Sequence, residues 1–124
     1  MGLLDGLLGN ASEVDVASVN EELMPILASN ENVVEAYKLI RDLLVFTNKR
    51  LLYIDKQGMT GKKVDYHSIP YRAITQLKVE TAGHFDLDCD LKIWVSGQSE
   101  PIETKLKSDL AQQVQKTLAD HMFA

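Results

Sequence analysis

The sequence predicts an α+β domain built around an antiparallel sheet. Three observations carry this prediction: apolar residues at helical spacing between residues 12 and 28, about seven short strand-like runs between residues 33 and 106, and a second helical pattern that closes the chain. A run of strands bounded by helices is typical of α+β folds rather than of folds with a parallel sheet. This order of elements leaves an open sheet, a barrel and a sandwich as alternatives.

Length and charge limit the classes of protein to which the chain can belong. Its 124 residues suffice for one domain with its own core, and its single cysteine, Cys89, cannot form an internal disulfide. Seven acidic residues precede Lys38, the first basic residue, so this part carries −7, whereas the remaining 13 basic and 11 acidic residues sum to +2. An acidic chain without a basic block is a poor nucleic-acid binder, and we expect no nucleic-acid partner.

The first nine residues contain a short apolar stripe formed by Leu3, Leu4, Leu7 and Leu8, which share one face of a helix. The stripe has no preceding basic region and no following cleavage site, so we expect a cytoplasmic protein rather than an exported one. Because so short a helix is unstable alone, it must pack on its own domain, on a neighbouring subunit or on a membrane surface.

A helix is predicted from Ser12 or Asp15, either of which can act as the N-cap, to about residue 28. Val16, Val19, Leu23 and Leu27 recur at helical spacing. Pro25 removes a backbone donor and conflicts with the preceding turn, so we expect a break or kink there.

The first strands are predicted at residues 33–40, 43–46 and 51–54, and the last two flank a polar turn at residues 47–50. Both runs of this hairpin lack alternation, which indicates strands that are covered on both faces. A loop is predicted at residues 55–63 and a short strand at residues 64–67, with Pro70 at a strand edge.

The later strands alternate between apolar and polar residues. Residues 74–81 form one such strand, and in the next we expect Leu87, Cys89, Leu91, Ile93 and Val95 to face the core. A last short strand covers residues 102–106. Ser108 is then predicted to cap a final helix, in which Leu110, Val114, Leu118 and Met122 form a stripe that is far more often core than a partner site.

Four stretches of this sequence carry a resemblance: DLLVFTNKRLLYID at 42–55, GMTGKK at 58–63, SIPY at 68–71 and VETAGHFDLD at 79–88. In this order and spacing they resemble the bacterial pleckstrin-homology (PH-like) domain family, of the small stand-alone type. The resemblance runs over nearly the whole chain. It implies a partly open barrel of two antiparallel sheets, capped by the C-terminal helix.

The resemblance also implies functional properties. It implies self-association into closed rings and no known enzymatic activity, and we expect no cofactor. We expect a PH-like domain at residues 31–124 and an N-terminal helical extension at residues 1–30, which is a natural candidate for assembly. The loops offer only Lys49, Arg50, Lys62 and Lys63, so phosphoinositide binding is not carried over, because a shared fold does not fix function.

The polar residues of the resembling stretches form the predicted binding or interface patch, for a peptide or for an adjacent subunit. They are Thr47, Asn48, Arg50, Glu80, Thr81, Gly83, Asp86 and Asp88. Arg50 is expected to pair with Glu80 or Asp86 through a bidentate bond. The alternative is that these residues only cap turns, as Asn, Asp and Gly commonly do.

Catalytic and metal sites are weakly supported. The aspartates at positions 86, 88 and 90 could hold a hard cation such as Ca²⁺, but the glycine and glutamate of a calcium loop are missing, so a solvated or interface face is favoured. His67, His84 and His121 show no ligand spacing, and Cys89 is expected in the core as inert packing. We therefore expect neither an enzyme nor a metalloprotein.

Two functions follow as hypotheses. The first is a non-enzymatic domain that assembles into a homo-oligomeric ring through the stripe of Leu3, Leu4, Leu7 and Leu8 and binds an unidentified protein or peptide. The second is a peripheral membrane module in which the same leucines enter the lipid surface, although Asp5 and the absence of nearby Lys or Arg argue against it. A discrete multimer supports the first hypothesis, and liposome binding that depends on residues 1–12 supports the second.

Overall fold

A computed structural model describes residues 14–57, 63–81 and 87–123 of the chain. Its first helix, α1, spans Val16–Leu23 and ends two residues before Pro25, as a proline break requires. Asp15 occupies the N-cap position, and its side chain accepts a hydrogen bond from the hydroxyl of Ser18 at 2.6 Å. The predicted break at Pro25 is therefore confirmed, and the helix is shorter than the sequence pattern suggested.

Four antiparallel strands form the first sheet, in the order β1-β2-β3-β4. They are β1 (Val33–Lys38), β2 (Asp42–Thr47), β3 (Arg50–Gln57) and β4 (Lys63–Pro70). The predicted hairpin between β2 and β3 is confirmed, with Phe46 opposite Leu51. The predicted loop at 55–63 is wrong at its ends, because β3 continues to Gln57 and β4 begins at Lys63.

Three antiparallel strands form the second sheet, in the order β5-β6-β7. They are β5 (Ile74–Thr81), β6 (Asp88–Val95) and β7 (Ile102–Lys107). A 3-10 turn at Tyr71–Ala73 leads from the first sheet into β5, and the peptide N–H of Ile40 donates to the carbonyl of Lys105 at 2.9 Å. These links join the two sheets at opposite corners.

The C-terminal helix, α2, spans Ala111–Met122 and follows a 3-10 turn at Ser108–Leu110. The prediction that Ser108 caps this helix is wrong, because the α-helical part begins three residues later. The apolar stripe is confirmed as core: Leu110, Val114 and Leu118 are buried, and Met122 packs partly against them.

The first sheet separates two apolar clusters. The larger one lies between the sheets and α2 and includes Leu44 and Phe46, whereas the smaller one lies under α1 and includes Leu43 and Val45. All six residues of β2 are buried, because alternate side chains enter the two clusters. The absence of alternation in β2 therefore predicted correctly that both of its faces are covered.

One inward-facing prediction is wrong. Leu87 was expected beside Cys89 in the core, but it precedes β6 and is 80% exposed. Its carbonyl accepts a hydrogen bond from the peptide N–H of Ser108 at 2.7 Å, so its backbone rather than its side chain is used. Cys89, Leu91 and Ile93 are buried as predicted. None of the helices within the described ranges is long and apolar enough to cross a membrane.

Candidate functional site

An ion pair between a buried glutamate and a partly exposed arginine joins the segment after α1 to the turn between β2 and β3. Arg50 begins β3, and its Nε donates to Oε2 of Glu31 at 2.8 Å while its Nη2 donates to Oε1 at 3.0 Å. The Glu31 side chain is 1% exposed. Two guanidinium nitrogens thus meet two carboxylate oxygens, a geometry that strengthens and orients the pair.

Arg50 also binds two other residues. Its Nη2 donates to the carbonyl of Ile26 at 2.8 Å, and its Nη1 donates to the hydroxyl of Ser68 on β4 at 2.8 Å. One side chain therefore holds three parts of the fold together: the segment that follows α1, strand β3 and strand β4. The prediction that Arg50 pairs with Glu80 or Asp86 is wrong for Glu80, since Arg50 binds Glu31; Asp86 lies outside the described residues.

Thr47 binds the Glu31 carboxylate of the ion pair as well. Its hydroxyl donates to Oε2 of Glu31 at 2.6 Å and accepts hydrogen bonds from the peptide N–H groups of Lys49 and Arg50 at 3.0 and 2.9 Å. A threonine at this turn position supplies both a donor for the carboxylate and an acceptor for the turn. Thr47 is itself fully buried.

Asn48 fastens the same turn to the segment that enters β1. Its Oδ1 accepts from the peptide N–H of Asn32 at 2.8 Å, and its Nδ2 donates to the carbonyl of Asn30 at 2.9 Å. Asn30 has a φ of 63°, in the left-handed region that Asn tolerates better than most residues. Thr47, Asn48 and Arg50 thus build a junction with the N-terminal segment.

The electrostatics of this junction depend on Glu31. Burial by itself raises the pKa of this carboxyl, but the hydrogen bonds from Arg50, Thr47 and the Ala28 peptide N–H, with the charge of Arg50, lower the pKa to about 2. The carboxylate is therefore ionised over the whole range in which the protein is expected to work. An ionised, fully hydrogen-bonded carboxylate of this kind stabilises the fold and offers no proton for catalysis.

The other half of the predicted patch lies on the second sheet. Glu80 and Thr81 are exposed at the end of β5, and Asp88 is exposed at the start of β6. Glu80 pairs with Lys92 at 3.5 Å in a row of charges across the outer face of the sheet, which is continued by Lys105 and Asp90 at 2.8 Å. Gly83 and Asp86 lie outside the described residues.

The two halves occupy different ends of the molecule. The hydroxyl of Tyr71 donates to the carbonyl of Thr47, which places the junction beside the start of β5. Glu80 is six residues further along this strand, or about 20 Å at the usual rise of a strand. The structure therefore brings Thr47, Asn48 and Arg50 together but not with Glu80, and the binding role of the patch stays a prediction.

A second polar cluster, which the sequence patterns did not predict, lies at the corner where β2 meets β7. Asp42 is buried, and its Oδ2 accepts hydrogen bonds from the Tyr53 hydroxyl and from the Thr104 hydroxyl, the latter at 2.7 Å. Asp42 lies opposite Asp55 in the β2–β3 register, and Asp55 lies opposite Asp65. The hairpin register was the signal that could have found this row, because a turn at 47–50 places residues 42 and 55 side by side.

The Asp55 carboxyl holds its proton more tightly than an isolated aspartate does. Burial, and then the hydrogen bond and the negative charge of Asp42, raise the pKa of Asp55 to about 6. Burial and the same aspartate also raise the pKa of Tyr53 above its ordinary value. A cleft of about 300 Å³ opens beside the cluster.

Two grooves run along the flanks of α2, and Lys116 lines both. The first has a volume of about 500 Å³ and lies between α2 and β1, with Val14 at its edge. The second has a volume of about 610 Å³ and lies between α2 and β5. Its lining residues are Thr75, Gln76, Leu77, Gln115, Lys116, Ala119, Met122 and Phe123.

The cysteine and histidines that the sequence offered as candidate reactive or metal-binding groups lie on different elements of the described part of the chain. Cys89 is buried, and its thiol lies 3.5 Å from the hydroxyl of Ser108. His67 lies on β4, and His121 lies on α2, where its ring stacks on that of Tyr71. Within the described ranges, no three His, Cys, Asp or Glu side chains are grouped so that they could hold a metal ion. His84 lies outside those ranges.

Comparison with known proteins agrees with this architecture. Residues 2–122 match the model of the family described as "Bacterial PH domain". The uncharacterized protein YjqA of Bacillus subtilis (strain 168) is 54% identical over 121 residues, which cover 96% of this chain and 97% of that protein.

Two solved structures are similar to the whole described fold. A pleckstrin homology domain from Shewanella amazonensis SB2B is 54% identical, with a TM-score of 0.81, and the match covers 89% of this chain and all of the other. A protein of the duf1696 family with a pleckstrin-homology domain, from Shewanella loihica PV-4, is also 54% identical, with a TM-score of 0.77 and coverage of 92% and 98%.

Proposed function

The chain belongs to the bacterial PH domain family, and from this premise we propose that it is a non-enzymatic interaction domain of the cytoplasm, which assembles into a homo-oligomeric ring and binds a protein or peptide partner. The predicted fold, two antiparallel sheets with a C-terminal helix, is confirmed by the structure and its neighbours. The proposed assembly and partner binding go beyond this common fold, and observations on the surface of the molecule support them.

The exposed edge strand β4 is the observation that carries the proposal. β4 has eight residues, of which only Ile69 is buried, and among the described residues it is the last strand of the first sheet. Unpaired N–H and C=O groups along such an edge are a ready template for pairing with another chain. An extended segment of a partner or of a second copy can therefore add to the sheet at this edge.

The charges of the outer face of the second sheet also suit an interface. Glu80, Lys92 and Glu103 alternate in sign across three strands, with distances of 3.5 and 3.9 Å between neighbouring charged atoms. Rows of alternating charge contribute little to the stability of a monomer, but they select the register and identity of a partner. The predicted patch residue Glu80 belongs to this row.

The junction around Arg50 supports the prediction that inositol phosphates are not the ligand. Recognition of a phosphate by a loop of this kind needs several free basic groups. Arg50 already donates to Glu31, Ser68 and the Ile26 carbonyl, which leaves Lys49 as the remaining basic residue of this turn. A protein or peptide surface is therefore the better partner for this domain.

Light scattering coupled to size exclusion tests the proposal. A discrete multimer that is several times the 13.9 kDa chain mass is expected, and a strictly monomeric protein at high concentration would overturn it. The exposed Tyr66 on β4 offers a variant, Tyr66→Lys, with Tyr66→Phe as the matched control. A charge on the edge strand should weaken assembly through β4, whereas the control should not change it.

A further inference from the structure

We propose that the groove between β5 and α2 is the docking surface for residues 3–8 of a second copy of the chain. This inference rests on the proposed assembly, because it names two surfaces that meet when copies join. The groove belongs to the described structure, whereas residues 1–13 lie outside the described ranges. The sequence of residues 3–8, the length of residues 9–13 and the position of Val14 bear on whether this segment can occupy the groove.

Half of the residues that line the groove are apolar, and the other half are Thr75, Gln76, Gln115 and Lys116. Leu77 on β5 forms one wall, and Ala119 and Met122 on α2 form the other. Phe123 stands at the rim with 75% of its surface exposed, although it is one of the largest apolar side chains of the molecule. A partly apolar groove of about 610 Å³ with an exposed phenyl ring at its edge is typical of a surface that binds another segment.

Residues 3–8 fit this surface in pattern. On a helix, Leu3, Leu4 and Leu7, with Leu8 beside them, would share one apolar face, which is the spacing by which short helices enter apolar grooves. A helix of six residues is unstable in water, so it needs a surface that buries this face. Four leucines without such a surface would remain exposed, at a cost of roughly 1.5–3 kcal/mol for each side chain that could have been buried.

Charge and reach agree with this docking. Lys116 is the one charged residue among the described residues that line the groove, and Asp5 is the one charged side chain within residues 3–8. The described chain begins at Val14, which lines the first groove on the opposite flank of α2. Residues 9–13 are mostly small or polar and span at most about 17 Å when extended, so they can carry residues 3–8 away from Val14 toward a neighbouring copy.

The requirement for ring closure points to a second copy rather than to the same chain. A closed ring larger than a dimer uses two different surfaces of each subunit, one for each neighbour. The leucine stripe and the β5–α2 groove are two such surfaces. If each chain filled its own groove, neither surface would be left for a neighbour.

Two sets of variants test the docking. Ala119→Glu, at a partly exposed position of α2, and Phe123→Glu, at the exposed residue that follows α2, place a charge in the groove, and Gln113→Glu on the opposite flank of α2 is the matched control. Leu4→Glu together with Leu7→Glu disrupts the stripe, with Ser12→Glu as its control. Both disrupted forms are expected to elute at the monomer mass, and both controls are expected to remain multimeric.

Mixing the two disrupted forms gives the sharpest test. A groove variant keeps an intact stripe and a stripe variant keeps an intact groove, so a 1:1 mixture should contain pairs of twice the 13.9 kDa chain mass. If the mixture stays monomeric, the docking between copies is refuted, and a stripe that covers its own groove becomes the occupant. If the groove variants remain multimeric, the inference fails while the proposed assembly stands.

A synthetic peptide of residues 1–12 provides a test that does not depend on whether the stripe variants fold. The peptide should bind saturably to a chain that lacks these residues, and Ala119→Glu should weaken this binding by at least about tenfold. No binding to the truncated chain would overturn the inference. A full chain that is monomeric at every concentration would remove both the inference and the proposed assembly.

Discussion

Removal of the Arg50 side chain should destabilise the domain through the carboxylate that it leaves behind. Glu31 is 1% exposed and receives hydrogen bonds from Arg50, from Thr47 and from the peptide N–H of Ala28. In Arg50→Ala the carboxylate loses its counter-charge and two of these bonds while it stays buried. Breaking a buried ion pair in this way costs roughly 3–5 kcal/mol of unfolding free energy.

The pKa of Glu31 gives an independent magnitude. Its folded-state pKa of about 2 lies below the ordinary 4.5, and each unit is worth about 1.4 kcal/mol, so ionised Glu31 contributes about 3 kcal/mol. Because the folded-state pKa is depressed, this stability is present above pH 4.5 and is lost as the pH falls toward 2. Most of this pH-dependent stability should be absent from the Arg50→Ala variant.

The assay is urea unfolding at pH 7, followed by the fluorescence of Trp94, the single tryptophan. Lys49→Ala is the matched control: it removes an exposed basic residue next to Arg50 and should change stability by less than about 0.5 kcal/mol. Adding Glu31→Gln to Arg50→Ala should recover roughly 1–2 kcal/mol, because it removes the unpaired charge. A cost below about 1 kcal/mol for Arg50→Ala, or a double variant that is less stable than Arg50→Ala alone, would refute the reasoning.

Three further changes follow from the same structure. Because the folded-state pKa of Asp55 is raised from 3.8 to about 6, its contribution to the free energy of unfolding is complete below pH 3.8 and is lost as the pH rises through 6. Asp55→Asn should abolish this loss of about 2 kcal/mol. Denaturant unfolding across pH 4–7 measures the difference. Thr104→Val should lower stability by roughly 1–2 kcal/mol, since it removes a donor to buried Asp42; an unchanged unfolding midpoint would contradict this role. If α1 packs as part of the fold, Leu23→Ala should lower the free energy of unfolding by roughly 2–5 kcal/mol, whereas the same change at exposed Leu87 should have little effect. Thermal unfolding of both variants tests this.

The site was only partly predictable because long-range partners are not encoded in local patterns. Thr47, Asn48 and Arg50 were recognised as a group of polar residues at a hairpin turn, and the structure does bring them together. The acidic partner of Arg50 was not predictable, since seven acidic residues precede Lys38 and nothing local distinguishes Glu31 from the others. Only the path of the segment after α1 brings Glu31 into contact with the turn.

The Asp42–Asp55 pair is the opposite case, because local sequence suffices to place these two residues side by side. Once the hairpin turn is placed at residues 47–50, the antiparallel register puts residue 42 beside residue 55. What the register cannot supply is the third partner, because Thr104 lies on the other sheet. The burial that raises the pKa of Asp55 likewise depends on how the two sheets meet.

The sequence by itself determined the order of helices and strands, the break at Pro25, the two-sided burial of β2 and the core stripe of α2. It could do so because hydrophobic periodicity and the chemistry of proline act over a few neighbouring residues. The tertiary structure alone decided which elements cover the two faces of β2, which acid neutralises Arg50 and which groove stays open beside α2. These features depend on contacts between residues far apart in the chain, and such contacts are fixed by the packing of the two sheets and two helices as a whole.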